Sequence, residues 1–428
     1  MQILIKNGRV IDPVNNVDGI FDVLVEDSKI SKLGKNIKDE AKLIIDATDK
    51  IILPGLVDMH VHLREPGRED KETLATGTMA AARGGVTTLL AMPNTSPAID
   101  SPENVLLLKE LIKKNAKVNV LICGTISKNR AGKELSDISG LCLAGAVAIS
   151  DDGSSVDDQI LMSEALKKAK AENILVSSHC EDKLLSGSGV VNRGFTATRL
   201  GLRGISKESE YLRIARDIGL AEKSGAAIHI AHVSCSESVE IIAQARKKGI
   251  RVTCEAAPHH FALNEEAVLG YDPNMKMNPP LRGKLDVKAI KDGLKNGVID
   301  AIASDHAPHT ENEKDIEFDR AEFGVIGLET ELAVAITELV DTDILDWKGL
   351  VEKVSCNPAK ILGIKKGALG VGNDADIVVV DPNREWLVRK EDFLSKSKNS
   401  AFIGKKLKGK IEYTFCNGEI VYQNGIHS

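Results

Sequence analysis

The sequence lacks the cysteine spacing of a disulfide scaffold. Its seven cysteines, an odd number scattered from Cys123 to Cys416, include no CxxC pair and no framework of the kind that staples small secreted domains. A reducing cytoplasm is therefore the expected compartment. No apolar run approaches membrane-spanning length, and the opening MQILIKNGRVIDP alternates apolar with polar residues instead of building the long apolar core of a secretory leader. A concentrated basic patch is also missing: Lys and Arg are dispersed and the formal net charge is -6, which argues against nucleic-acid and membrane partners. No GxGxxG or P-loop follows the first apolar strand, no repeat of 20 to 50 residues recurs, and no segment is of low complexity.

What is present is a chain of 428 residues with 43% hydrophobic and 28% charged residues, the balance of an ordinary globular protein. That length suits one α/β barrel with a modest satellite domain. Residues 1–50 show short alternating strands (Ile3 and Ile5, then FDVLVED and KLIIDA) between NG and DP turns, and the same texture returns over 366–428 in DADIVVVDP, KIEYTF and EIVYQNG. The two ends are expected to share one small β-domain. Over 51–365, eight apolar strands alternate with helical stretches: IILPGLVDMHVH, TTLLAMPN, VNVLICGTIS, AGAVAIS, ILVSSHCED, AAIHIAHVS, RVTCEAAPHH and IDAIASDHAPH. Eight such units predict a TIM-type (β/α)8 barrel, whose chemistry sits at the C-terminal ends of the strands.

Five of the ten histidines, His60, His62, His179, His232 and His309, fall at or just beyond those strand ends. Asp58, His60 and His62 are spaced by two and leave one face of the first strand. His229 and His232 differ by an odd number, so in a regular strand only one points inward; His232, nearer the end, is taken as inward and His229 as a packing residue. Asp305 follows a strongly apolar run, where a carboxylate is costly unless paired or bound to a cation. Asp151 and Asp152 end the fourth strand in SDDG, which read alone is a turn. Imidazoles with carboxylates suit zinc or a similar divalent ion. Cys180 and Cys235 would be soft donors in such a set and are read as structural, and His259 and His260 as loop or supporting residues.

The motifs LPGLVDMHVHLREPG, AMPNTSP, SDDG, SSHCED, HIAHVS, MNPPLR and SDHAPH together resemble the amidohydrolase superfamily, and within it the longer bacterial and archaeal dihydroorotases, over nearly the whole chain. That resemblance implies a zinc enzyme that reversibly converts N-carbamoyl-L-aspartate to L-dihydroorotate and water in pyrimidine biosynthesis. It implies one or two Zn2+ ions, with two expected: His60, His62 and Asp305 on one, His179 and His232 on the other, and Asp152 between them. Relatives that bridge with a carboxylated lysine carry it where this chain reads AISDDG, so a carboxylate must serve here. The resemblance further implies Asp305 as the catalytic acid–base, and His62, Arg64, Asn94, Asn278, His309, Phe323 and Gly324 around the substrate. It leaves room for a homodimer and for association with aspartate transcarbamoylase. The rival readings are a hydantoinase or allantoinase, and a silent partner of aspartate transcarbamoylase; Arg64 and the missing lysine oppose the first, and the full set of expected ligands opposes the second. The polar segment 311–324 after His309 has the composition of a lid.

Overall fold

The computed structural model describes residues 2–426. Eight strands pair in parallel and in chain order: Leu56–Val61 (β1), Val86–Ala91 (β2), Asn119–Gly124 (β3), Ala146–Ile149 (β4), Leu175–Ser178 (β5), Ile228–Ile230 (β6), Val252–Ala256 (β7) and Ala301–Ile302 (β8). The ring closes beyond β8, where Val61 bridges His306 in parallel and the His62 N–H donates to the His306 carbonyl at 2.9 Å. The structure is thus a nearly closed (β/α)8 barrel, as the alternation of apolar strands and helices predicts.

Several helices between the strands start where their sequences provide caps. Ser101 accepts from the Asn104 N–H ahead of Pro102–Asn115, with proline at the first helical position, and Asp158 accepts from Ile160 and Leu161 ahead of Gln159–Glu172. Their inner faces bury residues such as Val105, Leu108, Leu161 and Ala165 against the strands in one continuous core.

A second eight-stranded sheet joins the chain ends. Gln2–Asp12, Val17–Glu26, Lys29–Gly34 and Leu43–Asp46 come from the N-terminal side, and Ile377–Leu387, Lys406–Cys416 and Glu419–Gln423 from the C-terminal side. The strand Ile51–Pro54 joins the halves, pairing parallel to Gln2–Asp12 and antiparallel to Ile377–Leu387. Its apolar face gathers Ile3, Ile5, Val23, Val25, Ile52, Ile377, Val379 and Phe415 into a separate core.

The run IILPGLVDMHVH, expected to be one barrel strand, therefore divides. Residues 51–54 belong to the terminal sheet, and the barrel strand begins at Leu56. Gly55 marks the break: its N–H donates to the Asp376 carbonyl at 2.9 Å, and a Cβ there would stand 2.1 Å from Thr87 Oγ1. Only glycine lets the chain pass that close to β2 while changing sheets.

Candidate metal centre

At the C-terminal end of β1, the chain brings His60 and His62 to one side, each almost fully buried. The His60 N–H donates to Asp58 Oδ1 at 3.0 Å, and the same carboxylate receives the Ser304 N–H from beyond β8. Asp58, expected beside the two histidines, thus serves the backbone that closes the barrel.

Beyond β4, SDDG separates its two acids sharply. Asp151 accepts the backbone N–H groups of Ile126 and Ser127 and the Ser127 hydroxyl, so it ties the β3 and β4 loops together. Asp152 points at histidines instead. Its Oδ1 lies 3.3 Å from His60 Nε2, 3.3 Å from His179 Nδ1 and 3.6 Å from His232 Nε2, while Oδ2 lies 3.4 Å from His62 Nε2. Asp305 Oδ1 lies 3.4 Å from His62 Nε2 and 3.6 Å from His60 Nε2. His179 Nδ1 and His232 Nε2 are 2.9 Å apart.

These separations fit a cation. Two ligands each about 2.1 Å from a tetrahedral centre stand about 3.4 Å from one another. Two triplets, His60–His62–Asp305 and His60–Asp152–His232, converge closely enough to hold an ion. His60 Nε2 and Asp152 Oδ1 are buried with no hydrogen-bond partner, an arrangement that is costly unless something else satisfies them. The donors are imidazole nitrogens and carboxylate oxygens, the set that suits zinc and its neighbours.

The electrostatics agree. Burial alone would push the Asp152 and Asp305 carboxyls up, yet the facing histidines hold both well below the usual carboxylate range. Burial alone would likewise lower His60 and His179, but Asp152 lifts His60 well above an ordinary histidine, and Asp152 with Glu181 lifts His179 to about 9.

The backbone is bent to deliver two of these side chains. His232 has φ 34° and Asp305 has φ 47°, left-handed conformations that non-glycine residues seldom adopt. Each costs on the order of 1–3 kcal/mol and persists where the surroundings dictate it.

This bend corrects the parity argument about β6. The regular ladder ends at Ile230, so alternation does not extend to His232. His229 pairs with Thr253 across the ladder and shares its face with Glu255, which reaches His60. Both histidines address the interior. His229 is the packed, hydrogen-bonded residue expected of it, but it is not outward.

The residues expected around a substrate lie at the rim. Asn94 Oδ1 meets His62 Nδ1 at 2.8 Å, and Asn278 donates to Glu181 Oε2 at 3.0 Å. Arg64, with φ 63°, pairs with neither Glu65 nor Glu69; it donates to the Pro308 carbonyl, and its Nη2 lies 3.4 Å from His309 Nε2. Burial lowers the His309 ring, and the positive Arg64, Lys71 and Lys314 lower it further, to about 2. It is a neutral imidazole in a cationic corner. Phe323 lies under Lys276 Nζ at 4.5 Å from its ring centre, and the Gly324 carbonyl accepts from Lys314 and Asn399. Arg64, Asn94, Asn278 and Phe323 are half-buried, whereas the six cation-facing side chains are buried.

His259 and His260 sit on the short helix Pro258–Ala262, their rings 4.3 Å apart, with His260 Nε2 donating to the Pro279 carbonyl. Burial keeps both neutral, His260 at about 4. Cys180 and Cys235 contact Ser178 and Ser238, away from the donor cluster.

Four supporting residues escaped the reading of the sequence. Glu255 holds His60, Glu181 holds His179, Lys71 Nζ lies 3.1 Å from His309 Nδ1, and Asn399 accepts the His309 N–H. Glu255 alone had a visible signal, an acid inside the apolar strand VTCEA.

A parallel barrel that collects histidines and aspartates from β1, β4, β5, β6 and β8 at one mouth defines a barrel hydrolase of the amidohydrolase class. The L-hydantoinase (dihydropyrimidinase) from Arthrobacter aurescens superposes with a TM-score of 0.90 at 28% identity, covering 99% of this chain and 96% of that one. The family model described as Dihydro-orotase-like matches residues 49–238. Curated relatives named dihydroorotase include one from Elusimicrobium minutum, 54% identical over 99% of this chain and 98% of its own length, and one from Geotalea daltonii, 49% identical over 99% and 100%. The chain belongs to the dihydroorotase family.

Proposed function

We propose that this chain is a zinc-dependent dihydroorotase, interconverting L-dihydroorotate plus water and N-carbamoyl-L-aspartate. The observation that carries the proposal is the convergence of His60, His62, His179, His232, Asp152 and Asp305 around two unpartnered buried atoms, in a chain whose relatives at 49–54% identity bear that name. In this reading His60, His62 and Asp305 hold one Zn2+, His179 and His232 a second, and Asp152 lies between them. Held by these residues, zinc would supply a lowered pKa for bound water and Lewis-acid polarisation of the amide carbonyl.

The protein's own groups do the rest. In the hydrolytic direction, Asp305 takes a proton as water adds to the ring carbonyl carbon, then returns it to the nitrogen as the C–N bond breaks, so one carboxylate serves as base and then acid. The facing histidines hold its carboxyl in the ionised form, the form that can take up a proton. Arg64 and Asn94, with His309, grip the substrate's free carboxylate; the guanidinium fork suits a planar anion, and the neighbouring Lys71 adds positive charge. Asn278, Phe323 and Gly324 border the remainder of the ring. Burial of the donors excludes bulk water and strengthens each of these interactions. The free state of all seven cysteines suits a cytoplasmic enzyme.

The test is turnover of the zinc-loaded chain on dihydroorotate, carbamoyl-aspartate, hydantoin and allantoin, alongside Asp305→Asn. Turnover of the first two, lost in Asp305→Asn while most of the zinc stays bound, is expected. Preference for hydantoin or allantoin, or near-normal turnover in the variant, overturns the assignment.

A further inference from the structure

Behind His60 lies a chain of polar side chains that the reaction above does not use. His60 Nδ1 is 2.8 Å from Glu255 Oε1, Glu255 Oε2 is 3.2 Å from His229 Nε2, and His229 Nδ1 is 2.9 Å from Thr253 Oγ1. His60, Glu255 and His229 are each exposed by only 1%. A carboxylate buried this deeply is expensive unless every neighbour supports it.

The donor directions follow from the chemistry. An ionised carboxylate only accepts, so His60 must carry a proton on Nδ1 and His229 one on Nε2. The Nδ1 of His229 then faces the threonine hydroxyl. Each ring is fixed in orientation, and His60 Nε2, the atom without a partner, is turned toward Asp152 and Asp305. His62 rests on Asn94 and His179 on Glu181. The support of His60 continues two side chains beyond Glu255, from β7 across to His229 on β6 and back to Thr253 on β7.

We propose that Glu255, His229 and Thr253 form a positioning relay that locks the His60 ring with Nε2 presented to a divalent cation. None of the three touches substrate or reacting atoms; they act through His60. Partners of this kind raise ligand basicity and set the tautomer, and their loss typically costs roughly 10–100-fold in metal affinity. The inference rests on the metal reading of the site, but the hydrogen-bonded chain is testable apart from it.

The experiment uses the full chain with 15N-labelled histidine, zinc-loaded and zinc-stripped, in the unchanged sequence, Glu255→Gln, His229→Gln and their double variant. Zinc affinity is read by competition with a chromophoric chelator, and ring N–H exchange by NMR. In the unchanged chain, slowly exchanging ring protons on His60 Nδ1 and His229 Nε2 are expected with and without zinc. Glu255→Gln should weaken zinc binding tenfold or more and His229→Gln by less. The double variant should lose no more than Glu255→Gln alone, because the effects travel along one chain. Should Glu255→Gln fail to fold, His229→Gln and Thr253→Val carry the same readouts. Zinc affinities within about twofold of the unchanged chain, losses that multiply in the double variant, or ring protons that exchange as fast as those of exposed imidazole overturn the relay. An unchanged chain that shows the protected protons yet binds no zinc overturns the metal reading and leaves the relay supported as a hydrogen-bonded unit.

Discussion

Asp152 Oδ1 stands 3.3 Å from His60 Nε2, both atoms are buried, and neither has a hydrogen-bond partner. The two residues are more than ninety positions apart in the chain and come from β1 and the end of β4. Replacing Asp152 by Asn keeps the volume, removes the charge and directs one amide N–H at histidine nitrogens. The expected result is loss of at least one zinc per chain, read by elemental analysis, and a fall in turnover of at least about a hundredfold.

Arg64→Lys keeps a positive charge and removes the planar fork. If Arg64 grips the substrate carboxylate, kcat/KM for dihydroorotate should fall roughly 10- to 150-fold, the equivalent of about 1.5–3 kcal/mol for a hydrogen bond to a charged group. Zinc content should stay unchanged, since Arg64 contacts Pro308 and His309 and none of the six proposed zinc ligands. Unchanged kcat/KM would remove Arg64 from the substrate site.

The Arg282 of MNPPLR is structural. It donates to Ser234 Oγ, Asn192 Oδ1, the Ile205 carbonyl and Glu210 Oε2, which joins the segments after β5 and β6 to the loop after β7. Burial opposes the Glu210 charge, but Arg282 and the donors of Ser234 and Ser238 hold its carboxyl down to about 2. The folded value lies below the unfolded one of about 4.3, so this stabilisation is complete above about pH 5 and is lost as pH falls from about 4.3 toward 2. It amounts to something on the order of 3 kcal/mol. Glu210→Gln should lower the melting temperature at pH 7 and flatten its decline between pH 5 and 3. An acid decline identical to that of the unchanged chain would contradict this account.

Much of the architecture is legible in the sequence because parallel strands buried on both faces are written as short apolar runs, and all eight barrel strands follow them. The β-texture at both ends likewise anticipates the shared sheet. Gly55 is different: its role depends on Thr87, some thirty residues away, and no local pattern announces that a strand changes sheets there. His60 and His62 are visible as HxH, whereas Asp152 is distinguished from Asp151 in the sequence only by family resemblance. Spacing gives two adjacent acids, and only the fold shows Asp151 spent on the Ile126 and Ser127 backbone. Parity failed at His232 because the ladder ends two residues earlier. Lys71 and Asn399 reach His309 from 238 and 90 residues away, across barrel and tail, where periodicity carries no information.

The most direct measurement is an anomalous X-ray difference map, recorded at the zinc edge from crystals grown with zinc. Two peaks are expected: one within bonding distance of His60 Nε2, His62 Nε2 and Asp305, the other of His179 Nδ1 and His232 Nε2, with Asp152 touching both. Zinc bound elsewhere, or an empty map at these atoms in an enzyme that still turns over dihydroorotate, would contradict this arrangement.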